Sequence, residues 1–274
     1  SEPEKWNKAA DAALAAIQSA EAIGSSLYYF PQNQFNLSDT TLTKMSIRQA
    51  VTERWNPELI WSNPNSRTGT LQYYCMVPLS SEYTHTLAQK ILSPPLKIAK
   101  MYYTKNGVPM NEDRTLSFGN DTDLRIGDAD HRYNILEGYR TARIHFDREP
   151  RFYANLGFDG STFYKDDSPS RSDEDTWVIR SKFNDYAGSN AGVLYNVTGY
   201  YIKKLIDRRM TNSTQNPYRT YAWPELRLAD LYLLYAEALN EASGPTPEVL
   251  RYTDLVRERA GLEGVATSWS TYSV

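Results

Sequence analysis

Apolar residues recur at the helical period near both ends of the chain and lose it in between. Trp6, Ala9, Ala10, Ala13, Leu14, Ile17 and Ala20 fall three and four apart. They predict a helix over residues 3–24, with Pro3 in the first turn, Glu4 near the positive end and Gly24 as C-cap. A shorter helix is predicted over Thr41–Arg54, where Leu42, Met45 and Ala50 keep a similar spacing. Near the other end, Trp223-Pro224-Glu225 predicts a helix start with proline in its first turn. Its buried stripe is Leu228, Leu231, Tyr232, Tyr235, Ala238, Leu239 and Ala242. Leu233, Leu234 and Ala236 widen that stripe almost around the helix, which predicts cover on several sides. Ser243-Gly244-Pro245 ends it. Thr246 then caps a second helix with Pro247 at its first position, Val249, Tyr252, Thr253, Val256 and Ala260 facing inward, and Gly261 as terminator. Residues 223–261 thus form an antiparallel helix pair of the size of one TPR-like unit.

The middle, residues 56–199, is punctuated by turn formers: Asn56-Pro57, Asn63-Pro64-Asn65, Pro94-Pro95, Asn106-Gly107, Asp159-Gly160 and Ser168-Pro169. Leu87–Leu92 and Leu96–Tyr102 read as helical turns, Arg151–Phe158 and Thr176–Lys182 as strands, and Gly199–Ile206 as a strand entering a basic turn. So much loop implies that the loops carry function or pack on a helical scaffold. The fold class is mainly α, with TPR-like helix pairs and a loop-rich region bearing short β-strands. Ala266–Val274 shows no helix or strand period, and both ends of the chain read as cut from a longer protein.

Composition narrows the function. Thirty basic and thirty-three acidic residues among 274 give a net charge of −3, which argues against a nucleic-acid clamp. One cysteine, Cys75, excludes an intramolecular disulfide framework and a Cys-rich zinc site; His85, His131 and His145 lack metal-ligand spacing. The most apolar stretch, Leu226–Leu239, is interrupted by Arg227, Asp230 and Glu237 and is no membrane span. Tyrosine is in surplus at 21 copies, and aromatics reach 13%. Rings with an apolar face and a polar tip suit a partly polar ligand. A sugar needs an aromatic face against its C–H face and polar groups that replace water around its hydroxyls, since an unsatisfied buried hydroxyl costs about 1–3 kcal/mol. Trp55, Trp61, Tyr73, Tyr74 and Tyr83, with Asn63, Asn65 and Arg67 among them, form that mix in one turn-rich stretch. Taken singly, Trp55 and Trp61 read as loop anchors packed on helices. Trp6 reads as core, Trp177 as part of a strand and Trp223 as part of a helix entry.

No catalytic pattern stands out. Asp166-Asp167 and Asp173-Glu174-Asp175 read as a solvated loop, and Glu237 and Glu241 lie on one helix rather than facing each other across a sugar. Asp121–Asp130 fails the EF-hand pattern, with Arg125 at the fifth position and Ile126 where glycine belongs. P-loop, G-x-S-x-G and G-x-G-x-x-G motifs are absent from the sequence. Arg257 and Arg259 complement the last helix dipole, and Arg227 is expected to pair with an acid beyond the end of the chain.

The segments Glu225–Asn240 (Glu-Leu-Arg-Leu-Ala-Asp-Leu-Tyr-Leu-Leu-Tyr-Ala-Glu-Ala-Leu-Asn) and Leu255–Leu262 (Leu-Val-Arg-Glu-Arg-Ala-Gly-Leu) resemble the last helix pair of the SusD/RagB family. Further matches follow in that family's order. Trp6–Ala13 is similar to its central helix, Asn56-Pro-Glu-Leu-Ile-Trp61 to the segment after its middle helices, and Lys105-Asn-Gly-Val-Pro109 to its turn. Glu149-Pro-Arg-Phe-Tyr153 with Asp159-Gly160 resembles its DPRF strand, and Gly199-Tyr200 with Lys203-Lys204 its GY…K strand. Asn106 and Glu149 stand where the family usually has Asp. The family's N-terminal helices, lipoprotein cysteine and C-terminal region have no counterpart here. The resemblance implies a non-catalytic glycan-binding lipoprotein of the Bacteroidetes outer membrane, displayed on the cell surface. Its partners would be an oligosaccharide and a SusC-like TonB-dependent transporter, with a lipid anchor on an N-terminal part outside this chain and no cofactor. A RagB-like peptide binder and a TPR-type protein-interaction scaffold are the alternatives.

Overall fold

The structure, a computed structural model, describes residues 2–32, 35–80, 88–168, 170, 172–189, 196–210 and 219–274. Helix α1 (Glu2–Ala22) and α2 (Asp39–Thr52) lead into strand β1 (Leu59–Asn63) and helices α3 (Thr68–Cys75) and α4 (Leu96–Met101). Strands β2 (Leu124–Ile126) and β3 (Arg140–Ala142), helix α5 (Pro150–Asn155) and strands β4 (Leu156–Gly157), β5 (Thr162–Phe163), β6 (Trp177–Val178) and β7 (Tyr201–Ile202) follow. The chain closes with β8 (Trp223–Arg227), α6 (Leu228–Ser243), α7 (Pro247–Arg259) and α8 (Val265–Tyr272).

The alanine face of α1 does what small side chains permit. Ala10, Ile17 and Ala20 pack closely on Leu228, Leu231, Tyr235 and Ala238 of α6. Tyr252 of α7 joins the same cluster and meets Tyr232 and Tyr235 edge-on, at ring-centroid distances of 5.1 and 4.9 Å. Thr246 caps α7 by accepting from the Val249 amide at 3.3 Å, and Pro247 sits at the first position. α1, α6 and α7 therefore share one core. The cover on α6 is incomplete, since Leu233 and Leu234 are 43% and 50% exposed. Trp6, read as core, is also substantially exposed.

A second layer forms around α2. Ser38 accepts from the Thr41 amide and so caps the helix. Asp173 accepts from both the amide and the hydroxyl of Ser38, which buries a residue assigned above to a solvated loop. Asp166 likewise pairs with Arg208, and Asp167 with Lys165. Residues 151–158, read as one strand, are mostly α5. Pro150 starts the helix, and Phe152, Tyr153 and Ala154 are buried in succession, which no alternating strand allows. The described strands pair only in antiparallel twos: β1 with β8, β2 with β3, β4 with β7 and β5 with β6. The strand read over Thr176–Lys182 narrows to β6. Ala88–Leu92, read as a helical turn, is irregular, and Leu87 lies outside the described residues.

Two terminal readings are corrected as well. Residues 223–227 are β8 rather than the first turn of α6. The residue before a proline is pushed out of the α region, and pairing with β1 fixes the segment as extended. Ala266–Val274, read as aperiodic, lies largely in α8, where Ser268 is buried and Trp269 meets Tyr103 edge-on at 5.9 Å. Arg257 is held inside rather than laid along a helix end. It donates to the Gly107 carbonyl at 3.1 Å, the Glu263 carbonyl at 2.9 Å and the Ser268 hydroxyl at 2.9 Å. A Cβ at position 107 would sit 2.4 Å from that guanidinium, and φ there is +76°, so the turn requires glycine on both counts.

Glu58 joins the two layers. Its side chain is fully buried. Oε1 accepts from Arg227 at 2.8 Å; Oε2 accepts from Arg259 at 2.7 Å and from the Tyr28 amide at 2.9 Å. Its own carbonyl accepts from the Leu228 amide at 2.8 Å. Arg227 thus finds its acid inside the chain, at Glu58 and at Asp230 (3.0 Å), and needs none beyond its end.

Removing one member of a buried ionic cluster strands the others, at about 3–5 kcal/mol. Glu58→Ala is therefore expected to lower the unfolding free energy by that amount, read by equilibrium denaturant unfolding at pH 7. A second pairing, between His131 Nε2 and Asp147 Oδ1 at 3.3 Å, is pH-sensitive. Hydrogen bonding to Asp147, then to Asp128, raises the His131 pKa against the opposing effect of burial. The same His131 bond holds the Asp147 carboxyl well below the usual range. A raised histidine stabilises fully below its unfolded value of about 6.5 and loses that contribution as pH rises through the folded value. The stability gap between wild type and His131→Asn should thus be widest near pH 5–6 and close toward pH 8, in thermal melts at fixed ionic strength.

Candidate functional site

The aromatics singled out in the sequence hang on the segment that Glu58 anchors. The Asn56 side-chain amide donates to the Ala50 and Glu53 carbonyls at the end of α2, and its Oδ1 accepts from the Glu58 amide at 3.0 Å. Trp55 lies just before this clamp and Trp61 just after it. Neither is a packed loop anchor, because Trp55 is 66% and Trp61 68% exposed. Trp55 sits in the turn after α2 with φ +61°, a left-handed backbone that disfavours side chains, and Arg54 lies over its ring at 5.3 Å.

Trp61 is set by strand pairing. Leu59 faces Arg227 and Trp61 faces Leu226, but the register shifts on both sides of Trp61. Such an irregularity re-aims side chains, and Ile60 and Trp61 are both exposed here. The chain then turns. Asn63 Oδ1 accepts from the Asn65 amide at 3.0 Å, its carbonyl accepts from the Ser66 hydroxyl at 2.9 Å, and Ser66 in turn accepts from the Trp223 amide at 3.2 Å. Asn63, Asn65 and Arg67 are exposed along this turn.

α3 is tied down behind them. The Thr68 hydroxyl donates to the Tyr221 carbonyl and accepts its amide; Gln72 accepts from the Asp207 amide at 3.0 Å. Tyr73 is half-buried and Tyr74 exposed, with ring centroids 5.5 Å apart, and Gln89 donates to the Tyr73 hydroxyl. Tyr83 lies outside the described residues. Trp55 and Trp61 stack on no other aromatic ring among the described residues. The named residues therefore form a string of exposed groups along one anchored segment rather than a single aromatic cage.

The sequence reading missed two aromatics. Phe183 and Tyr186 are exposed on a turn that buried Lys90 holds to the chain after α3, through the Gly188 carbonyl at 2.9 Å and the Tyr186 carbonyl at 3.3 Å. Their signal was present in Lys182-Phe-Asn-Asp-Tyr186, an aromatic and amide mix like that at 61–65, but 120 residues downstream. A cavity of about 650 Å³ opens elsewhere, with walls that include Arg151, Lys204, Leu233, Arg257 and Trp269. None of the predicted site residues lines it.

The described cysteine and one buried histidine are held uncharged. Burial pushes the Cys75 thiol up to about 12 and the His145 imidazole down to about 3. His145 stacks on Phe158 at 4.0 Å. No group of three or more His, Cys, Asp or Glu suited to a metal ion occurs among the described residues. No described helix is long and apolar enough to cross a membrane.

The SusD family model matches residues 57–273. The chain belongs to the SusD family. The matched stretch opens one residue before Glu58 and includes Trp61, α3 and the α6–α7 pair of this SusD chain; Trp55 lies just ahead of it. The solved structure of BT4246 superposes with a TM-score of 0.73 at 23% identity, covering 96% of this chain and 46% of that one. A SusD-like protein (BF3747) from Bacteroides fragilis gives 0.61 at 20% identity, covering 96% and 47%. The chain thus spans somewhat less than half the length of these structures, which share its mainly helical fold. No curated protein matches it.

The left-handed backbone at Trp55 gives a stability test of the site. Trp55→Gly should be neutral or should stabilise by about 0.5–1 kcal/mol, because glycine is at ease at a turn position with positive φ. Chemical denaturation would check this; a loss above that size would show that the indole packs after all.

Proposed function

We propose that this SusD-family protein is a non-catalytic glycan-binding component of a nutrient-uptake system at the bacterial outer-membrane surface. It captures an oligosaccharide and presents it to a SusC-like TonB-dependent transporter. In this reading a lipid anchor on a longer form of the chain holds it to the membrane, residues 56–199 carry the ligand, and the TPR-like pair at 223–261 is part of the supporting frame.

Family membership supports the binding role. One structural observation carries the site: Trp61 presents most of its indole to solvent from a strand whose base is fixed by buried Glu58. An apolar ring face held open by a rigid support loses little freedom when a pyranose ring lands on it, so its burial is turned into affinity. The amide groups of Asn63 and Asn65 and the Arg67 guanidinium supply hydroxyl partners on the adjoining turn. Trp55, Tyr73 and Tyr74 would extend the platform for a longer chain, and Tyr83 belongs to the same proposal.

The test is a panel of oligosaccharides screened against wild type, Trp61→Ala and Trp55→Ala. Trp61→Ala should weaken the best-bound glycan by at least about tenfold, roughly 1.4 kcal/mol, with the melting temperature unchanged. Unchanged binding in both variants would move the site elsewhere, toward Phe183 and Tyr186. Release of reducing ends on prolonged incubation with the bound glycan would reject the non-catalytic role outright. Loss of partner binding through α6–α7 surface changes alone would favour the protein-interaction scaffold.

A further inference from the structure

Three cations are buried together where α2 meets the turn after β7. Lys44, Arg48 and Lys203 are each no more than 5% exposed, and all three line one interior cavity of about 10 Å³. Their described hydrogen bonds run mainly to backbone carbonyls. Lys44 donates to Tyr133; Lys203 to Thr162 at 3.1 Å; Arg48 to Tyr164 at 2.9 Å and Ile206 at 3.3 Å. Among the described residues none of the three has a carboxylate within 4.0 Å. The acids in reach are engaged elsewhere: Asp173 by Ser38, Asp166 by Arg208, Asp207 by Arg209 at 2.7 Å and Asp167 by Lys165 at 3.3 Å.

Carbonyl dipoles satisfy donors, but they do not neutralise three like charges that share one low-dielectric space. Each lysine ammonium carries three donors and spends one on the carbonyl named above. The Arg48 Nε is also buried without a partner. That volume is the space open to the centre of a water-sized sphere, so a single particle somewhat larger than water fits. A sugar is too large for it. A water molecule fits the space and leaves the charge unanswered. A monatomic anion answers both size and charge.

We propose that Lys44, Arg48 and Lys203 form a structural binding site for one halide ion, chloride under cellular conditions. The ion would tie α2 to the β7 turn, to the Tyr133 loop and to strand β5, within the second layer. The rival solution is proton loss from a lysine. Burial pushes Lys44 down to about 7 and Lys203 well below its ordinary value, in an environment without the anion. The two solutions separate cleanly, because only one responds to halide.

Thermal unfolding of the protein in sodium chloride and in sodium gluconate, at matched ionic strength and pH 6, is the test. The midpoint should rise saturably with chloride, by about 5 °C at a hundredfold excess over the dissociation constant. Lys203→Met, which keeps the stem and removes the charge, should abolish that rise. Crystals grown in bromide should show an anomalous peak between Lys44 and Lys203, a readout that stands even if the variant does not fold. Equal midpoints in the two salts, a chloride gain retained in Lys203→Met, or a bromide-free cavity would each overturn the site.

Discussion

A fully buried carboxylate with no solvent to fall back on must be satisfied from all sides, and Glu58 is satisfied by groups far apart in sequence. Its partners come from the link between α1 and α2, from the residue before α6 and from the last turn of α7. Its backbone carbonyl holds the first amide of α6. The three-helix layer and the α2 layer cannot separate without exposing Glu58 or stranding two arginines. The same residue sits one position before β1, so strand, turn and Trp61 inherit their placement from it.

That inheritance explains why a loop-rich protein can offer a stiff binding face. The described aromatics of the proposed site lie one to three residues from a buried bond: Trp55 beside the Asn56 clamp, Trp61 beyond Glu58, Tyr73 and Tyr74 beside Gln72. The backbone of the platform is fixed before a ligand arrives, and only side-chain freedom is left to lose. Trp55 shows the other side of such a design. A bulky residue holds a left-handed backbone that glycine would take freely, and the surrounding clamp tolerates the strain.

The helices were legible because burial on one face writes a period into the chain: α1, α2, α6 and α7 lie where apolar spacing put them, to within a few residues. The errors cluster where the deciding force is remote. Trp223-Pro224-Glu225 carries a sound local helix signal, yet β1, 160 residues upstream, claims it as a strand. Residues 151–158 carry aromatics that suit a strand, and burial of three in succession makes them helix. Arg257 and Arg259 gave only a dipole argument and Arg227 an acid sought in the wrong place, since sequence spacing does not reveal that Glu58 and the Gly107 turn arrive from elsewhere. For the site, the residue types and the region were readable. What was not readable was exposure, which overturned the packed reading of both tryptophans, nor the arrival of Phe183 and Tyr186 through Lys90.

The middle of the chain raises a sharper problem than placement. Strand pairs of two to five residues leave many loop carbonyls without a ladder partner, and buried backbone oxygens must still be paired. Here long cationic side chains take the role of missing strands. Arg148 alone donates to the carbonyls of Ala99, Tyr102, Tyr103 and Ile144. Lys90, Arg48, Lys203 and Arg257 do the same for other loops. A donor on a flexible stem can reach carbonyls at odd angles that no regular strand would meet, so the loops need not be regular to be rigid. The device has a cost that a β-sheet does not incur, because every such post brings a positive charge inside. Where a carboxylate accompanies it, as at Glu58, the charge is answered by the chain itself. Where none does, as around Lys203, either a proton leaves or an anion enters, and the size of the space decides which anion that can be.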